Sequence, residues 1–243
     1  MTHAHFYLPP SAWESGQLRL DGDEARHCAQ VTRHRVGDQV VVFDGAGRKA
    51  EARIEVLSKT EVRLVPLKEW QTPPPRHPVT LLQAVTKGET FEWILEKAVE
   101  LGVRRIVPIL SDRSIVRLDA RDAIKKHEKW QRLVLESCKQ CGQAWLPEVV
   151  LPCSLDAALK QVGTQPVRLI ASLHPQAKPL RGLLNESASE VAVAIGPEGD
   201  FSESEHQRMV DGGWLPWTLG GLVLRAETAA ICAMSILGYE LES

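Results

Sequence analysis

The 243-residue sequence has no run of apolar residues that approaches the roughly 18 needed to span a membrane as a helix. Its first residues, from Met1 to Phe6, lack the charged start and the apolar stretch of a signal peptide. The chain has only five cysteines, an odd number, so a disulfide framework is not expected. These absences argue against a membrane-spanning helix and predict a cytoplasmic protein with reduced thiols.

Two of the cysteines, Cys138 and Cys141, have C-x-x-C spacing within a stretch that has a helical pattern. A structural zinc site needs two further ligands at matching spacing, and none follows in the sequence. A redox role would need a thioredoxin-like context, which is also lacking. We therefore expect these cysteines to pack on a helix face, and we predict no metal site.

The formal net charge is −2, which does not favour a protein that coats nucleic acid through bulk charge. The charge is uneven, however: zero over residues 1–72, +4 over residues 73–140 and −6 over residues 141–243. In the middle segment, seven basic residues recur at intervals of three or four positions, apart from one adjacent pair: Arg113, Arg117, Arg121, Lys125, Lys126, Lys129 and Arg132. They form either a solvated helix face or a stripe that contacts phosphates.

Four prolines within residues 73–78 mark a boundary, since prolines cannot continue a helix or a central strand. Before it, alternating apolar runs over residues 39–43, 50–57 and 61–67 predict strands separated by glycine turns. Residues 1–72 therefore predict a small β-barrel or sandwich. Its basic cluster, Arg26-His27 with Arg33-His34-Arg35, is typical of a loop that touches a partner.

After the prolines, strands and helices alternate, which predicts an α/β domain with a mostly parallel sheet. The predicted strands cover residues 79–85, 105–110, 167–173 and 191–195. The predicted helices cover residues 89–101, 121–141, 202–211 and 225–240.

The most informative stretch is Gly196-Pro197-Glu198-Gly199-Asp200, which joins a buried strand to a helix. Ligands of open α/β sheets bind beyond the carboxyl ends of strands, so this loop is a candidate site by position. Its two acids would repel a phosphate, and it matches neither the Walker loop nor the dinucleotide fingerprint. A neutral or cationic ligand, such as an adenosine or a sulfonium, fits better. The alternative is a plain strand-to-helix turn.

Two further strand ends carry similar signals. Gly220-Gly221 lets the backbone approach a ligand, and Arg225 follows at a helix start, where its charge opposes the helix dipole. Leu173-His174-Pro175 ends another predicted strand. Three such ends meeting at one pocket would form a cofactor site.

Short motifs occur in a fixed order along the chain. The N-terminal motifs are Arg26-His27, Val31-Thr32-Arg33, Val36-Gly37-Asp38 and Phe43-Asp44-Gly45. The central ones are Lys87-Gly88, residues 96–103 and Ser111-Asp112-Arg113-Ser114. The last are Trp130-Gln131-Arg132, Gly196-Pro197-Glu198-Gly199 and residues 224–229. Each motif is weak alone, but together they are highly specific, and in this order they resemble the motifs of the ribosomal RNA small subunit methyltransferase E family, within the SPOUT class of knotted methyltransferases.

The resemblance implies a PUA-like RNA-binding β-barrel over residues 1–72, a proline-rich linker over 73–78 and a SPOUT methyltransferase domain over 79–243. It also implies an α/β fold with a deep trefoil knot, S-adenosylmethionine as cofactor and a homodimer formed through the C-terminal domain. The implied reaction is N3-methylation of one uridine in 16S rRNA, so the implied partner is the small ribosomal subunit.

The site residues follow from the same match. The cofactor would contact Leu173, His174, Pro175, Ile195, Gly196, Pro197, Glu198, Gly199, Leu219, Gly220, Leu224, Thr228 and Ala229. The catalytic candidates are Arg225, to stabilise negative charge on a uracil carbonyl, and Glu198 and Glu227, to remove the proton or orient Arg225. The RNA would contact Arg26, Arg33, Arg35, Lys87, Arg113, Arg117, Lys125 and Lys129.

The sequence departs from the family pattern at three places. Asp200 stands where a second glycine is usual, Gly221-Leu222 where Pro-Arg is typical, and Ala226 where threonine is usual. One alternative is an RNA-binding SPOUT protein with another RNA target or with weakened catalysis. The other is a nucleotide-binding oxidoreductase, which the missing dinucleotide fingerprint disfavours.

Overall fold

The structure is a computed structural model, and it describes residues 3–13, 18–164, 167–184 and 189–242. The chain forms two compact units. The N-terminal unit consists of residues 1–74 and 135–146, and the C-terminal unit of residues 75–134 and 147–243. The first break falls within the proline run. The segment 135–146 differs from the contiguous domains predicted above, because it packs with the N-terminal unit.

A five-stranded sheet forms the N-terminal unit, in the order β1-β3-β4-β5-β2. The strands are β1 (His5–Tyr7), β2 (Leu18–Asp21), β3 (Gln39–Phe43), β4 (Arg48–Leu57) and β5 (Glu61–Gln71). Strands β3, β4 and β5 are antiparallel neighbours, whereas β1 runs parallel to β3. Alternate residues of β4, such as Ala50, Ala52 and Ile54, are buried in a core with Phe6 and Leu64. This confirms the small β-domain that the alternating pattern predicts.

A short helix, α1 (Gly22–Arg26), continues into a π-helical turn, His27–Val31. Lys139 explains why residues 135–146 pack with the N-terminal unit. Its ammonium lies 2.7 Å from the Glu24 carboxylate, 2.8 Å from that of Glu136 and 3.1 Å from His27 Nδ1, and the residue is 7% exposed. A buried ammonium needs such partners, so these contacts hold residues 135–146 in this unit. Lys139 thus contacts all three members of a cluster of possible metal ligands, Glu24, His27 and Glu136.

A parallel sheet forms the centre of the C-terminal unit, in the order β12-β10-β11-β6-β7-β8, with β9 also paired to β7. The strands are β6 (Val79–Ala84), β7 (Arg105–Leu110), β8 (Glu148–Val149), β9 (Cys153–Ser154), β10 (Val167–Ala171), β11 (Val191–Ile195) and β12 (Leu215–Trp217). All five residues of β11 are buried, as expected for a strand covered on both faces. The structure thus confirms the α/β class and the parallel sheet.

The helices are α2 (Thr90–Glu100), α3 (Ala120–Cys141), α4 (Leu155–Val162), α5 (Glu203–Asp211) and α6 (Ala226–Glu242). Helix α2 packs against α6, and α6 packs against β11. Side chains of α4 and α5, including Leu155 and Met209, share a core cluster with Leu82 and Ala192 of the sheet. The predicted helices are present, whereas β8, β9 and β12 were missed because two or three residues are too few to show a period. Helix α4 was missed as well, although Ser154 as its N-cap and the buried Leu155 and Ala158 at helical spacing are signals that could have predicted it.

The five cysteines are free thiols. Cys138 is buried on α3 and Cys141 is exposed at its end, which confirms the expected helical location. Burial raises the pKa of the Cys28 thiol to about 11 and that of Cys138 to about 12, so both stay protonated at neutral pH. Among the described residues, no helix is both long enough and apolar enough to cross a bilayer.

Candidate active site

A cleft opens at the carboxyl ends of β10 and β11 in the C-terminal unit, with about 590 Å³ of empty space that includes its mouth. Three loops surround it: the residues after β10, the glycine loop after β11 (residues 196–201) and a second glycine loop before α6 (residues 218–225). The lining residues are Ala171, Ser172, Leu173, Ile195, Gly196, Pro197, Glu198, Asp200, Leu219, Gly220, Leu222, Val223, Leu224, Ala226 and Ala229. The three strand-end signals of the sequence therefore do converge on one cleft.

The loop after β10 is held by Ser172. Its backbone N–H donates to the Trp217 carbonyl at 2.9 Å, and its hydroxyl oxygen accepts a hydrogen bond from the backbone N–H of His174 at 3.0 Å. The hydroxyl also lies 3.3 Å from Nε2 of His206, whose ring stacks on that of His174 at 5.2 Å between centroids. Ser172 thus orders the turn beside the half-exposed Leu173.

The 196–201 loop turns sharply around Asp200, whose φ is +60°. The Asp200 N–H donates to the Pro197 carbonyl at 2.9 Å, and the Asp200 carboxylate accepts from the Phe201 N–H at 2.7 Å. A side chain at Gly196 would bring its Cβ to 2.8 Å from the Asp200 carboxylate and 3.0 Å from the Phe201 nitrogen. Gly196 therefore has no room for a side chain. The left-handed φ of Asp200 also explains why a glycine suits that position.

Helix α5 begins immediately after this loop with the capping box that the sequence predicts. Ser202 Oγ accepts from the Glu205 N–H at 3.2 Å, and the Ser202 N–H donates to the Glu205 carboxylate at 2.9 Å. Glu205 is 1% exposed and also accepts the Asp112 N–H at 2.9 Å. The start of α5 is therefore fixed to the segment that follows β7.

The 218–225 loop is held more loosely. Thr218 Oγ1 donates to the Gly220 carbonyl at 3.1 Å and accepts from the Gly220 N–H at 3.2 Å. Leu222 is 78% exposed and Val223 83%, although both line the cleft. This loop brings apolar side chains to the cleft without burying them.

The charges of the residues that line the cleft determine which kind of ligand it can bind. Among the residues lining it, Glu198 and Asp200 are the charged ones, and both are acidic. The remaining lining is mostly aliphatic and glycine, which suits the apolar faces of a base and a ribose. This combination disfavours an anion and fits a ligand that carries a cation beside an apolar ring system, such as S-adenosylmethionine.

Nine of the predicted cofactor residues line the cleft: Leu173, Ile195, Gly196, Pro197, Glu198, Leu219, Gly220, Leu224 and Ala229. Four others lie in the same segments without being among the lining residues: His174, Pro175, Gly199 and Thr228. Sequence reasoning missed six lining residues: Ala171, Ser172, Asp200, Leu222, Val223 and Ala226. The first two were missed because β10 ends at Ala171, two residues earlier than predicted.

The catalytic candidates are placed differently from one another. Glu198 lines the cleft, and its carboxylate lies 3.4 Å from the Lys87 backbone N–H. Arg225 directly precedes α6, is exposed, and accepts the Ala229 N–H on its carbonyl at 2.8 Å. Glu227 is half-buried in the first turn of α6. Neither Arg225 nor Glu227 is among the lining residues.

In the N-terminal unit, the three predicted RNA-binding residues are exposed around one loop. Arg26 ends α1 with 65% of its side chain exposed, 3.5 Å from the Asp23 carboxylate. Arg33 is exposed and has a left-handed φ of +55°. Arg35 is exposed, and its backbone N–H donates to the Asp38 carboxylate at 2.7 Å. That hydrogen bond is the main reason why the pKa of the Asp38 carboxyl is lowered.

The five predicted RNA-binding residues of the C-terminal unit are exposed as well. Lys125 and Lys129 lie on α3, where the Lys129 ammonium is 2.6 Å from the Glu92 carboxylate. Lys87 follows β6. Arg113 and Arg117 lie before α3 rather than on it, and both guanidinium groups donate to backbone carbonyls. The basic stripe is thus helical only from Arg121 onward.

Comparison with protein families gives two matches. Residues 72–238 match the RNA methyltransferase domain, and residues 20–67 match the RNA methyltransferase PUA domain. The parallel sheet with its cleft and the smaller β-unit thus define an RNA methyltransferase with a PUA domain.

Comparison with individual relatives identifies the family within this class. The chain is 32% identical over 224 residues to ribosomal RNA small subunit methyltransferase E of Mycobacterium bovis, covering 90% of this chain and 85% of that protein. It is 27% identical over 237 residues to the Bacillus subtilis protein of the same name, covering 94% and 92%. The chain belongs to the ribosomal RNA small subunit methyltransferase E family.

Solved structures agree. A ribosomal RNA small subunit methyltransferase E from Neisseria gonorrhoeae, bound to S-adenosylmethionine, superposes with a TM-score of 0.88 at 33% identity, covering 97% of this chain and 96% of that one. A putative methyltransferase from Legionella pneumophila in complex with the same cofactor gives a TM-score of 0.90 at 30% identity, covering 99% and 98%.

Proposed function

We propose that this protein transfers a methyl group from S-adenosylmethionine to N3 of a specific uridine in 16S rRNA of the small ribosomal subunit. The observation that carries the proposal is the cleft at the ends of β10 and β11, with acidic Glu198 and Asp200 among apolar walls. The names of the relatives and the cofactor bound in two similar structures point the same way.

The cofactor would be held by the strand ends. S-adenosylmethionine supplies an electrophilic methyl group on a sulfonium sulfur, and that cation favours the neighbourhood of carboxylates. Backbone groups around Gly196 and Gly220 would meet its polar atoms, because neither residue has a side chain to hold a ligand away. The remaining predicted contacts, including His174, Pro175, Gly199 and Thr228, stay part of the proposal.

The acceptor sets the chemical requirement. Uracil N3 carries a proton, and its electron pair becomes available for attack only when that proton leaves. The N3–C bond to the methyl carbon then forms as the C–S bond breaks, and the sulfonium becomes a neutral thioether. The site must therefore accept one proton and stabilise the negative charge that develops on the uracil carbonyls.

Arg225 would stabilise that charge, because a guanidinium aimed at a developing oxyanion is worth more inside a site than in water. Glu198 or Glu227 would accept the N3 proton or orient Arg225. Glu198 lines the cleft and Glu227 lies two residues beyond Arg225, and we keep both as candidates for either role. A uridine that is stacked in the rRNA would also have to be turned out of its stack.

Basic residues of both units would bind RNA through its phosphates. The supporting observation is exposure: Arg26, Arg33 and Arg35 surround the loop that follows α1, and Lys125 and Lys129 lie on α3. Phosphate contacts of this kind make the affinity for RNA fall steeply with salt. Lys87 and Arg117 complete the proposed set. The barrel of residues 1–72 would act as the PUA-like RNA-binding domain, joined by residues 73–78 to the methyltransferase domain of residues 79–243.

The finer architecture is proposed with the function. The family resemblance implies a deep trefoil knot in the C-terminal domain, a homodimer formed through that domain and a cytoplasmic location. Tyr239 on α6 is 75% exposed, and an exposed side chain of this size suits a protein interface.

The deciding experiment is methyl transfer from labelled S-adenosylmethionine to small ribosomal subunits that lack the modification, followed by mapping of the methylated base. We expect one N3-methylated uridine in 16S rRNA. Arg225→Ala should reduce turnover by at least about 100-fold while cofactor affinity changes by no more than a few-fold. Unchanged turnover in this variant would remove Arg225 from the mechanism.

A second candidate function is an RNA-binding protein of the same fold with weakened catalysis or another RNA target. It is favoured by Leu222, which is exposed at the cleft where the family typically has an arginine, and by Asp200 and Ala226. The same methylation assay separates the two, since this candidate binds RNA without methylating the small subunit.

A further inference from the structure

Arg113, which the sequence places among RNA contacts, is exposed, but one nitrogen of its guanidinium is hydrogen-bonded to the 196–201 loop. Its Nη1 donates to the Gly199 carbonyl at 2.9 Å and lies 3.3 Å from the Phe201 carbonyl. The aliphatic part of the side chain runs beside Gly199, where an added Cβ would be 3.7 Å from Arg113 Cβ and Cδ. The two carbonyls flank Asp200 in the turn that borders the cleft.

Two hydrogen bonds, one to its carbonyl and one from its N–H, hold the orientation of a single peptide group in this turn. The peptide between Gly199 and Asp200 points its carbonyl at Arg113 and its N–H at the Pro197 carbonyl, 2.9 Å away. Rotating this peptide would break both bonds at once. The left-handed φ of Asp200, +60°, is a conformation that persists only when its surroundings determine it.

The segment that carries Arg113 is itself anchored. The Asp112 N–H donates to the buried Glu205 carboxylate at 2.9 Å, and Ser202 Oγ donates to the Asp112 carboxylate at 2.8 Å. Arg117 donates to the carbonyls of Ser111 and Asp112, at 3.2 and 2.9 Å. The segment after β7 thus gives Arg113 a fixed base from which to hold the neighbouring loop.

We infer that Arg113 is a positioning residue for the cofactor loop and does not act as a phosphate contact. Its charged hydrogen bonds keep the 199–201 backbone in the conformation that presents Glu198 and Asp200 to the cleft. The inference rests on the proposed function, since it takes S-adenosylmethionine as the ligand. It adds a residue outside the lining of the cleft to the determinants of cofactor binding.

The two roles of Arg113 predict opposite results in the full-length protein. In Arg113→Met, loss of the positioning role raises the Kd and the KM for S-adenosylmethionine by about tenfold or more, while kcat at saturating cofactor changes by less than about threefold. The slope of log K against log salt for binding to under-modified small subunits stays the same. Loss of a phosphate contact would instead reduce that slope by about 1 and leave cofactor affinity unchanged.

Two further variants make the test specific. Lys125→Met removes the same charge from an exposed position on α3. It should leave cofactor affinity within about twofold and lower the salt slope by about 1. Arg113→Lys keeps a charged donor of shorter reach and should recover part of the lost cofactor affinity, which a role in mere filling of space would not give. If the Met variant fails to fold, Arg113→Gln, which also removes the charge, is judged by the same ratio of cofactor and RNA effects.

Cofactor affinity decides the outcome. If Arg113→Met, or Arg113→Gln in its place, binds S-adenosylmethionine within about twofold of the unmodified protein, the positioning role is wrong. If the unmodified protein itself fails to bind the cofactor in calorimetry, the proposed function fails instead, so the two failures are distinguishable.

Discussion

The two glycine loops of the cleft differ in how they are held. The 196–201 loop is fixed by Arg113, by the Asp200 turn and by the Glu205 capping box that follows it. The 218–225 loop is tied to another segment at its start, where the Thr218 N–H donates to the Lys178 carbonyl at 3.1 Å, has the local Thr218–Gly220 hydrogen bonds, and exposes Leu222 and Val223. One wall of the cleft is therefore held by several contacts with other segments, whereas the other leaves apolar side chains exposed that a ligand could contact.

This difference assigns distinct roles to the walls. A preformed loop contributes affinity because the ordering of its backbone does not have to be achieved on binding. A loop with exposed apolar side chains contributes by covering the ligand or a partner surface. The 196–201 loop would thus set cofactor affinity, and the 218–225 loop, which leads directly to Arg225, would respond to the acceptor base.

A matched pair of glycine substitutions should show the largest contrast. Gly196→Ala places a Cβ within 3.0 Å of the Phe201 backbone nitrogen, so the fixed loop must shift. We expect a destabilisation of about 1–3 kcal/mol and at least a tenfold loss of cofactor affinity. At Gly221 no described heavy atom lies within 4 Å of an added Cβ, so Gly221→Ala should change stability by less than about 0.5 kcal/mol. Urea unfolding and calorimetry measure both, and equal effects would contradict the contrast.

The buried Glu205 carboxylate gives the next largest effect. Glu205→Ala leaves the Ser202 and Asp112 N–H groups without their acceptor, so we expect a loss of about 2 kcal/mol in unfolding free energy. Cofactor affinity should fall with it, because the loop loses its anchor to the segment after β7. Glu203, exposed in the same helical turn, is the control, and Glu203→Ala should cost less than about 0.5 kcal/mol. Similar losses for both variants would show that only the charge near the helix start matters.

Asp200 tests the backbone strain of the fixed loop. Asp200→Ala keeps a Cβ in the left-handed conformation and loses the acceptor for the Phe201 N–H, which should cost about 1–2 kcal/mol. In Asp200→Gly the relief of that conformation offsets the lost hydrogen bond, so stability should stay within about 0.5 kcal/mol. Denaturant titration of the two variants compares them directly. If Asp200→Gly is as unstable as Asp200→Ala, the loss of stability comes from the missing carboxylate alone and not from the left-handed backbone conformation.

Local signals made much of this arrangement predictable. The bounds of β3, β7 and β11 match the predicted ones, and the capping box was visible as Ser202 followed by Glu205. These features depend on neighbours within a few residues, so periodicity and spacing carry them. The glycine loop at the end of β11 was placed for the same reason.

The features that escaped prediction depend on contacts between distant residues. Arg113 meets Gly199 across 86 positions of sequence, and Lys139 meets Glu24 across 115. The basic spacing around Arg113 is compatible with a solvated helix face or with a phosphate-binding stripe, and charge alone does not show which groups a side chain contacts. Likewise, nothing local distinguishes the end of α3 that packs with the N-terminal unit from the part that packs with the C-terminal unit.

The smallest effect is expected at the loosely held wall. Leu222→Ser and Val223→Ser alter side chains that are 78% and 83% exposed, so unfolding free energy should change by less than about 0.5 kcal/mol. Because both residues line the cleft, the KM for cofactor should still rise by about two- to fivefold, the signature of contacts made only when the ligand is bound. Steady-state kinetics and urea unfolding at several protein concentrations check this. A loss above about 1 kcal/mol that grows with protein concentration would mean that these side chains are buried against a second copy of the chain, and the contrast between the two walls would then hold only for the isolated protomer.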